Sequence, residues 1–149
     1  MAGTETSTTL KGACHCGGVE FEVPAQSHVD TCHCNICRRL TSGPFIGMEC
    51  HSGLKLLKSE SLKWYDSSEW ARRGFCGECG ANLFYNLKGS EFYSISAGAL
   101  NIPAGTELTK ELFIDEKPDY YAIAGERIRM TGEEVFASFN ASNEGENND

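Results

Sequence analysis

The chain has 149 residues, 40% of them hydrophobic and 23% charged, with a formal charge of -8; this fits one compact domain and excludes a disordered or fibrous chain. Thirteen basic residues against twenty-one acidic ones supply no clustered positive charge for displacing counterions from phosphates, so nucleic acid is not an expected partner. No apolar run approaches the roughly 20 residues that span a bilayer, and residues 1–7 carry neither a basic nor an apolar leader pattern, so no membrane contact is expected and the cytoplasm is the expected compartment.

In chain order, residues 1–9 are small and polar and read as a flexible tail. Residues 19–23 alternate as Val19-Glu20-Phe21-Glu22-Val23, the pattern of a strand with one apolar face, and Pro24 ends it. Short runs of similar character follow at 45–50, 54–57, 62–65, 70–75, 83–87, 92–97 and 108–114, most of them bounded by Gly, Pro, Ser or Asn. Helix is expected only as one or two turns after Cys34 and as a segment over 119–124, where Pro118 sits near the start. Residues 141–149 hold no apolar side chain beyond alanine and read as a disordered acidic tail. A single mainly β domain over residues 10–140 is the resulting expectation.

Eight cysteines in a reducing compartment, at short spacings, point to metal ligation or catalysis more than to disulfides. Seven fall into three groups: Cys14-His15-Cys16, Cys32-His33-Cys34-Asn35-Ile36-Cys37 and Cys76-Gly77-Glu78-Cys79-Gly80. In an extended segment a C-x-C pair sends both sulfurs to one face and the intervening histidine to the other. The C-x-x-C-G group has the form of a zinc knuckle, in which Gly80 permits the positive φ that turns the chain under an ion.

Two plus two makes a closed four-sulfur site of Cys14, Cys16, Cys76 and Cys79. Cys32, Cys34 and Cys37 then make a three-sulfur site with an open fourth position, as a catalytic or substrate-binding ion requires. All-sulfur tetrahedral sets without a ferredoxin-like cysteine run favour zinc, two ions per chain. The competing arrangement makes both sites structural, with His33, His15 or His51 completing the second. A redox dithiol would need a thioredoxin-like βαβ setting, which the strand pattern does not provide. Cys50 reads as a buried hydrophobe, and His28 and His51 as surface histidines.

Four of the six arginines occur as pairs, Arg38-Arg39 just after Cys37 and Arg72-Arg73 shortly before Cys76. They either offset the negative field of the metal-thiolate sets or clamp the carboxylates of an anionic ligand. Glutathione, with two carboxylates and a thiol, suits the second use, with Arg38, Arg39, Trp70 and Arg72 as the expected ligand contacts. The aromatic residues from Trp64 to Tyr93 read first as core, and Tyr120-Tyr121, in a Pro-Asp-Tyr-Tyr turn, as a segment that closes over a site.

Gly12-Ala13-Cys14-His15-Cys16-Gly17 with Phe21, Cys32-His33-Cys34-Asn35-Ile36-Cys37-Arg38, and Arg73-Gly74-Phe75-Cys76-Gly77-Glu78-Cys79-Gly80 with Leu83-Phe84 closely resemble the glutathione-dependent formaldehyde-activating enzyme family. The same domain occurs in centromere protein V. The resemblance runs over residues 10–136 and takes in Gly98-Ala99-Leu100-Asn101 and Lys117-Pro118-Asp119-Tyr120. It implies a small β-tent-like zinc-binding fold of several short antiparallel sheets, a structural ion on Cys14, Cys16, Cys76 and Cys79, and a catalytic ion on Cys32, Cys34 and Cys37. The implied activity is that of a carbon-sulfur lyase joining glutathione and formaldehyde as S-(hydroxymethyl)glutathione. Two positions depart from the family pattern: Glu111, where members often carry His, and Asn101, where Asp is common. The alternative function is a zinc-stabilised protein-binding module without catalysis, as the centromere-associated relative suggests. That relative carries a long basic extension, which the nine polar residues before Leu10 do not supply.

Overall fold

The computed structural model describes residues 9–147, with side chains described as far as residue 139. Strand outweighs helix, so the chain is mainly β, with eleven strands and two α-helices among the described residues. Two compact units divide it: residues 9–29 with 46–107, and residues 30–45 with 108–147.

In the first unit, β1 (Thr9–Ala13), β2 (Glu20–Pro24) and β5 (Lys55–Lys58) form an antiparallel sheet in the order β1-β2-β5. The alternation read at 19–23 is what buries Phe21 and Val23 on one face of β2 while Glu20 and Pro24 stay exposed. The unit's other strands run in the order β4-β9-β8-β7-β6: β4 (Phe45–Cys50), β9 (Tyr93–Ser96), β8 (Asn82–Leu87), β7 (Ala71–Cys76) and β6 (Leu62–Asp66). Each neighbouring pair is antiparallel.

The core of this unit is apolar. Phe21, Met48, Leu83, Phe84 and Ile95 are fully buried, and Phe84 meets Phe21 edge-on at 4.9 Å and stacks with Trp64 at 5.9 Å. Gly74 on β7 lies between these rings. A Cβ there would stand 2.9 Å from atoms of both Phe84 and Trp64, so only glycine lets the aromatic pair close over the strand.

The second unit holds the end of β3 (His28–Cys32), α1 (Asn35–Thr41), β10 (Glu107–Leu112), β11 (Ile128–Met130) and α2 (Gly132–Asn147). β11 pairs in parallel with β10, placing Glu111 opposite Arg129. Helix α1 is the turn expected after Cys34, and its N-cap is Cys34 itself, whose sulfur accepts from the Cys37 N–H at 3.4 Å. The interior of this unit is largely polar: Asp30, Thr31, His33 and Glu111 are buried beside Cys37 and Val135.

Three expectations give way to the structure. Residues 119–124 are not helical: they run as turn and irregular backbone, in which the carbonyls of Pro118 and Tyr121 accept from the Lys117 ammonium and that of Ala124 from Arg127. Cys14 to Cys16 do not continue a strand. They form the tight turn between β1 and β2, closed by the Gly17 N–H on Cys14 O. Helix α2 was not expected, and its backbone runs to Asn147, past the point where the polar tail is expected to begin. The tail positions 1–8 and 148–149 lie outside the described residues.

Candidate metal centres

The two cysteine groups are each confined to one unit. In the first, the sulfurs of Cys14, Cys16, Cys76 and Cys79 all lie within 4.8 Å of one another. Cys14 to Cys16 and Cys16 to Cys76 are both 3.6 Å apart. A tetrahedron with zinc-sulfur bonds of about 2.3 Å has edges of about 3.8 Å, so this spacing suits four thiolates around one ion and is far too long for a disulfide.

The backbone prepares the site. The Val19 N–H points at Cys14 Sγ, and the N–H groups of Glu78 and Cys79 point at Cys76 Sγ, which also meets the Ser61 hydroxyl at 3.3 Å. Both turns have a left-handed glycine, Gly17 and Gly80, with φ of 81° and 79°. The Ser61 hydroxyl and the Cys79 N–H outweigh desolvation and lower the Cys76 thiol to about 6. At Cys16 a Gly18 N–H lowers the thiol, but hydrogen bonds with Cys14 and Cys76, together with desolvation, push it up to about 12. Four crowded sulfurs thus share protons unevenly, and a cation must displace those that remain.

In the second unit Cys32, Cys34 and Cys37 bring their sulfurs within 4.8 Å of one another. All three come from one stretch of six residues: the end of β3, an extended Cys34 at φ -64° and ψ 158°, and the first turn of α1. No other described thiol, imidazole or carboxylate of this unit joins them at that spacing. Hydrogen bonds with Cys34 and Cys37, with burial behind them, push the Cys32 thiol strongly up.

His33 is turned away from the sulfurs that flank it. Its Nε2 lies 2.8 Å from Glu111 Oε1 and its Nδ1 lies 2.7 Å from the Tyr121 hydroxyl, so neither ring nitrogen is available as a fourth ligand. Glu111 in turn receives Arg127 at 2.7 Å and Arg129 at 3.0 Å on its second oxygen. Burial pushes the Glu111 carboxyl up, but the bonds from Arg127 and His33 and the charge of Arg129 outweigh it and hold the group below the usual carboxylate range. For Tyr121, burial raises the phenol, Arg38 lowers it, and Tyr120 and the Cys32 sulfur raise it further.

Of the arginines expected to meet a ligand, Arg38 and Arg39 share the unit of the three-cysteine group, on the last turn of α1. Arg38 Nε donates to His33 O at 2.9 Å, and Arg39 Nε donates to Asn35 Oδ1 at 3.4 Å. Arg72 and Trp70 belong to the first unit, where the Arg72 guanidinium stacks 3.9 Å above Trp64 and donates to Asn86 Oδ1, and Trp70 is half exposed. Tyr120 is exposed and Tyr121 turns in toward His33. Cys50 is buried, donating to Ser52 O, and His51 lies exposed beside Glu49. Sequence reasoning assigned no role to Arg127 and Arg129 and noted Glu111 only as a departure. The bond from His33 to Glu111 spans 78 residues of chain, and no local spacing signals it.

Comparison with known proteins places these features in a group. The profile of the family described as glutathione-dependent formaldehyde-activating enzyme matches residues 9–116. An uncharacterized lyase of Schizosaccharomyces pombe is 29% identical over 130 residues, covering 86% of this chain and 95% of the relative. A Halomonas elongata protein named for glutathione-dependent formaldehyde activation is 27% identical over 127 residues, covering 76% and 80%. A crystal structure of a Rhodobacter sphaeroides protein superposes with a TM-score of 0.54 at 27% identity, covering 66% of this chain and 99% of that one.

Proposed function

Because the chain belongs to the glutathione-dependent formaldehyde-activating enzyme family, we propose that it is a zinc-dependent carbon-sulfur lyase that interconverts glutathione plus formaldehyde with S-(hydroxymethyl)glutathione. One zinc ion on Cys14, Cys16, Cys76 and Cys79 is structural, and a second on Cys32, Cys34 and Cys37 serves the reaction. The observation that carries this proposal is the inequality of the two groups: four sulfurs in one unit, three in the other, with His33 committed elsewhere.

Cys32, Cys34 and Cys37 would hold the ion, and zinc there would supply charge that favours the deprotonated form of a thiol ligand. What the chain itself contributes is placement. Arg38, anchored through Nε to the carbonyl between Cys32 and Cys34, carries a fixed positive charge next to the group and attracts a thiol that bears carboxylates. Arg39 adds a second charge on the same turn. In the addition direction the sulfur forms a bond to the aldehyde carbon, the carbonyl π pair moves to oxygen, and the hydrogen that left the thiol ends on that oxygen. Nothing is oxidised or reduced, so no further co-reactant is required. The many reduced thiols suit the cytoplasm as the compartment.

Titration of glutathione into fully metallated protein, with zinc counted by mass spectrometry, tests the proposal. Heat of binding in the wild type that disappears in Cys34→Ala is the expected result, followed by faster exchange of formaldehyde into the adduct by NMR. Two zinc ions with no heat would overturn it in favour of a binding module.

A further inference from the structure

Every polar group of His33 is bonded within the second unit. Its N–H donates to Leu112 O at 3.0 Å, its carbonyl accepts from Arg38 Nε at 2.9 Å, Nε2 meets Glu111 at 2.8 Å and Nδ1 meets the Tyr121 hydroxyl at 2.7 Å. The residue is wholly buried, with Cys32 and Cys34 directly on either side. The two backbone bonds hold the planar peptide groups on either side of His33, which lead directly to Cys32 and Cys34, and the two ring bonds hold its side-chain rotamer.

The direction of the Glu111 bond follows from charge. Glu111, gripped by Arg127 and Arg129, is a carboxylate and only accepts, so Nε2 carries the imidazole proton. Nδ1 and the Tyr121 hydroxyl form the second ring bond, at 2.7 Å. We propose that Glu111 and His33 are positioning residues for the three-cysteine site: the carboxylate fixes the imidazole, and the anchored imidazole fixes the Cys32 and Cys34 sulfurs at the spacing that receives one cation. This rests on the proposed role of Cys32, Cys34 and Cys37 as a metal site, and it adds a device that works without touching the ion. A hydrogen-bonded outer layer of this kind is worth about 10–100-fold in affinity where it orients metal ligands.

The test uses the full chain, loaded with zinc or cobalt(II), in three forms: wild type, Glu111→Gln and Tyr121→Phe. Wild type should take up two equivalents; uptake of one alone would overturn the metal-site reading itself. Given two, Glu111→Gln should weaken the second equivalent by about tenfold or more in chelator competition and leave the first unchanged. The 15N spectrum of His33 should show Nε2 protonated in wild type and that preference weakened in Glu111→Gln, a signature that a merely packed histidine would not produce. Tyr121→Phe should keep the wild-type tautomer and weaken the second equivalent by a smaller factor. A folded Glu111→Gln protein with wild-type affinity at both sites overturns the proposal, and if that variant does not fold, unchanged affinity in Tyr121→Phe overturns it instead.

Discussion

The two units hold their cysteines by opposite means. In the first, two turns, each with a left-handed glycine, hang from strands whose other side chains build an apolar, aromatic core, and backbone N–H groups aim at the sulfurs. In the second, one continuous segment supplies all three sulfurs, and what backs it is a chain of charged and polar groups from His33 through Glu111 to Arg127 and Arg129. A closed four-sulfur site becomes rigid once its ion is bound, because the ion itself ties distant strands together. A three-sulfur site closes only a short loop of chain, so its rigidity has to come from its surroundings. Hydrogen bonds, being directional, do this where dispersion contacts would allow sliding.

The largest way to break this contrast is to remove one sulfur from each site. Cys76→Ser or Cys79→Ser should unfold the chain, since structural zinc in small domains contributes on the order of 10 kcal/mol, as much as the whole stability of a chain this size. Cys37→Ser should stay folded and lose a single metal equivalent. Far-UV circular dichroism, thermal melting and metal counting on the same samples decide it; equal melts for the two classes would mean that the sites do not differ in role.

A smaller effect is expected from Glu111→Ala, which leaves the two arginines and His33 facing an empty, buried space. Removing one partner from such a set costs about 3–5 kcal/mol, measurable as a shift in the urea midpoint. The pH dependence has a defined sign. The folded-state carboxyl lies below its ordinary value of 4.5, so its stabilisation is fully present above about pH 4.5 and fades as pH falls through the lower folded value. Wild type and variant should therefore differ most near neutrality and converge in acid, and a gap that widened on acidification would refute the assignment of Glu111 as the ionised partner.

How far these features were legible in the sequence depends on how local their causes are. The sulfurs lie together in the same groups of four and three that the spacing suggested, the short C-x-C and C-x-x-C pairs being local while the joining of Cys16 to Cys76 is not, and β2, β4, β6 and β8 follow from alternation or from short apolar runs between turn residues. His33 turning away from its neighbouring sulfurs was also predictable, as a consequence of period two in an extended segment. What it turns toward was not. Glu111, Tyr121 and Arg127 lie 78 to 94 positions further on, and polar residues at such distances carry no periodic signal. The helix expected over 119–124 is absent; six residues are too few to hold a helix by their own propensity, and side chains of Lys117 and Arg127 fix the segment as a turn.

Helix α2 offers the finest of these contrasts, because its signal was present in the sequence. Thr131-Gly132-Glu133-Glu134 is a capping box: the Glu134 N–H donates to Thr131 Oγ1 at 3.2 Å, and the Thr131 N–H donates to Glu134 Oε1 at 2.8 Å. Asp115 secures the next free donor, the Gly132 N–H, at 2.9 Å, and Phe136 meets Phe113 edge-on at 5.7 Å. The helix is thus fixed at its first turn, where Val135 is buried, and Thr131→Ala removes one of several anchors. A loss of about 1 kcal/mol is expected, seen as reduced helical circular dichroism and faster amide exchange over the start of α2. Metal uptake at both cysteine groups should not change, because the bonds that fix this turn run among Thr131, Gly132, Glu134 and Asp115. If Thr131→Ala weakened the three-cysteine site as strongly as Glu111→Gln does, the rigidity of that site would belong to the unit as a whole, and the four bonds around His33 would not be its specific cause.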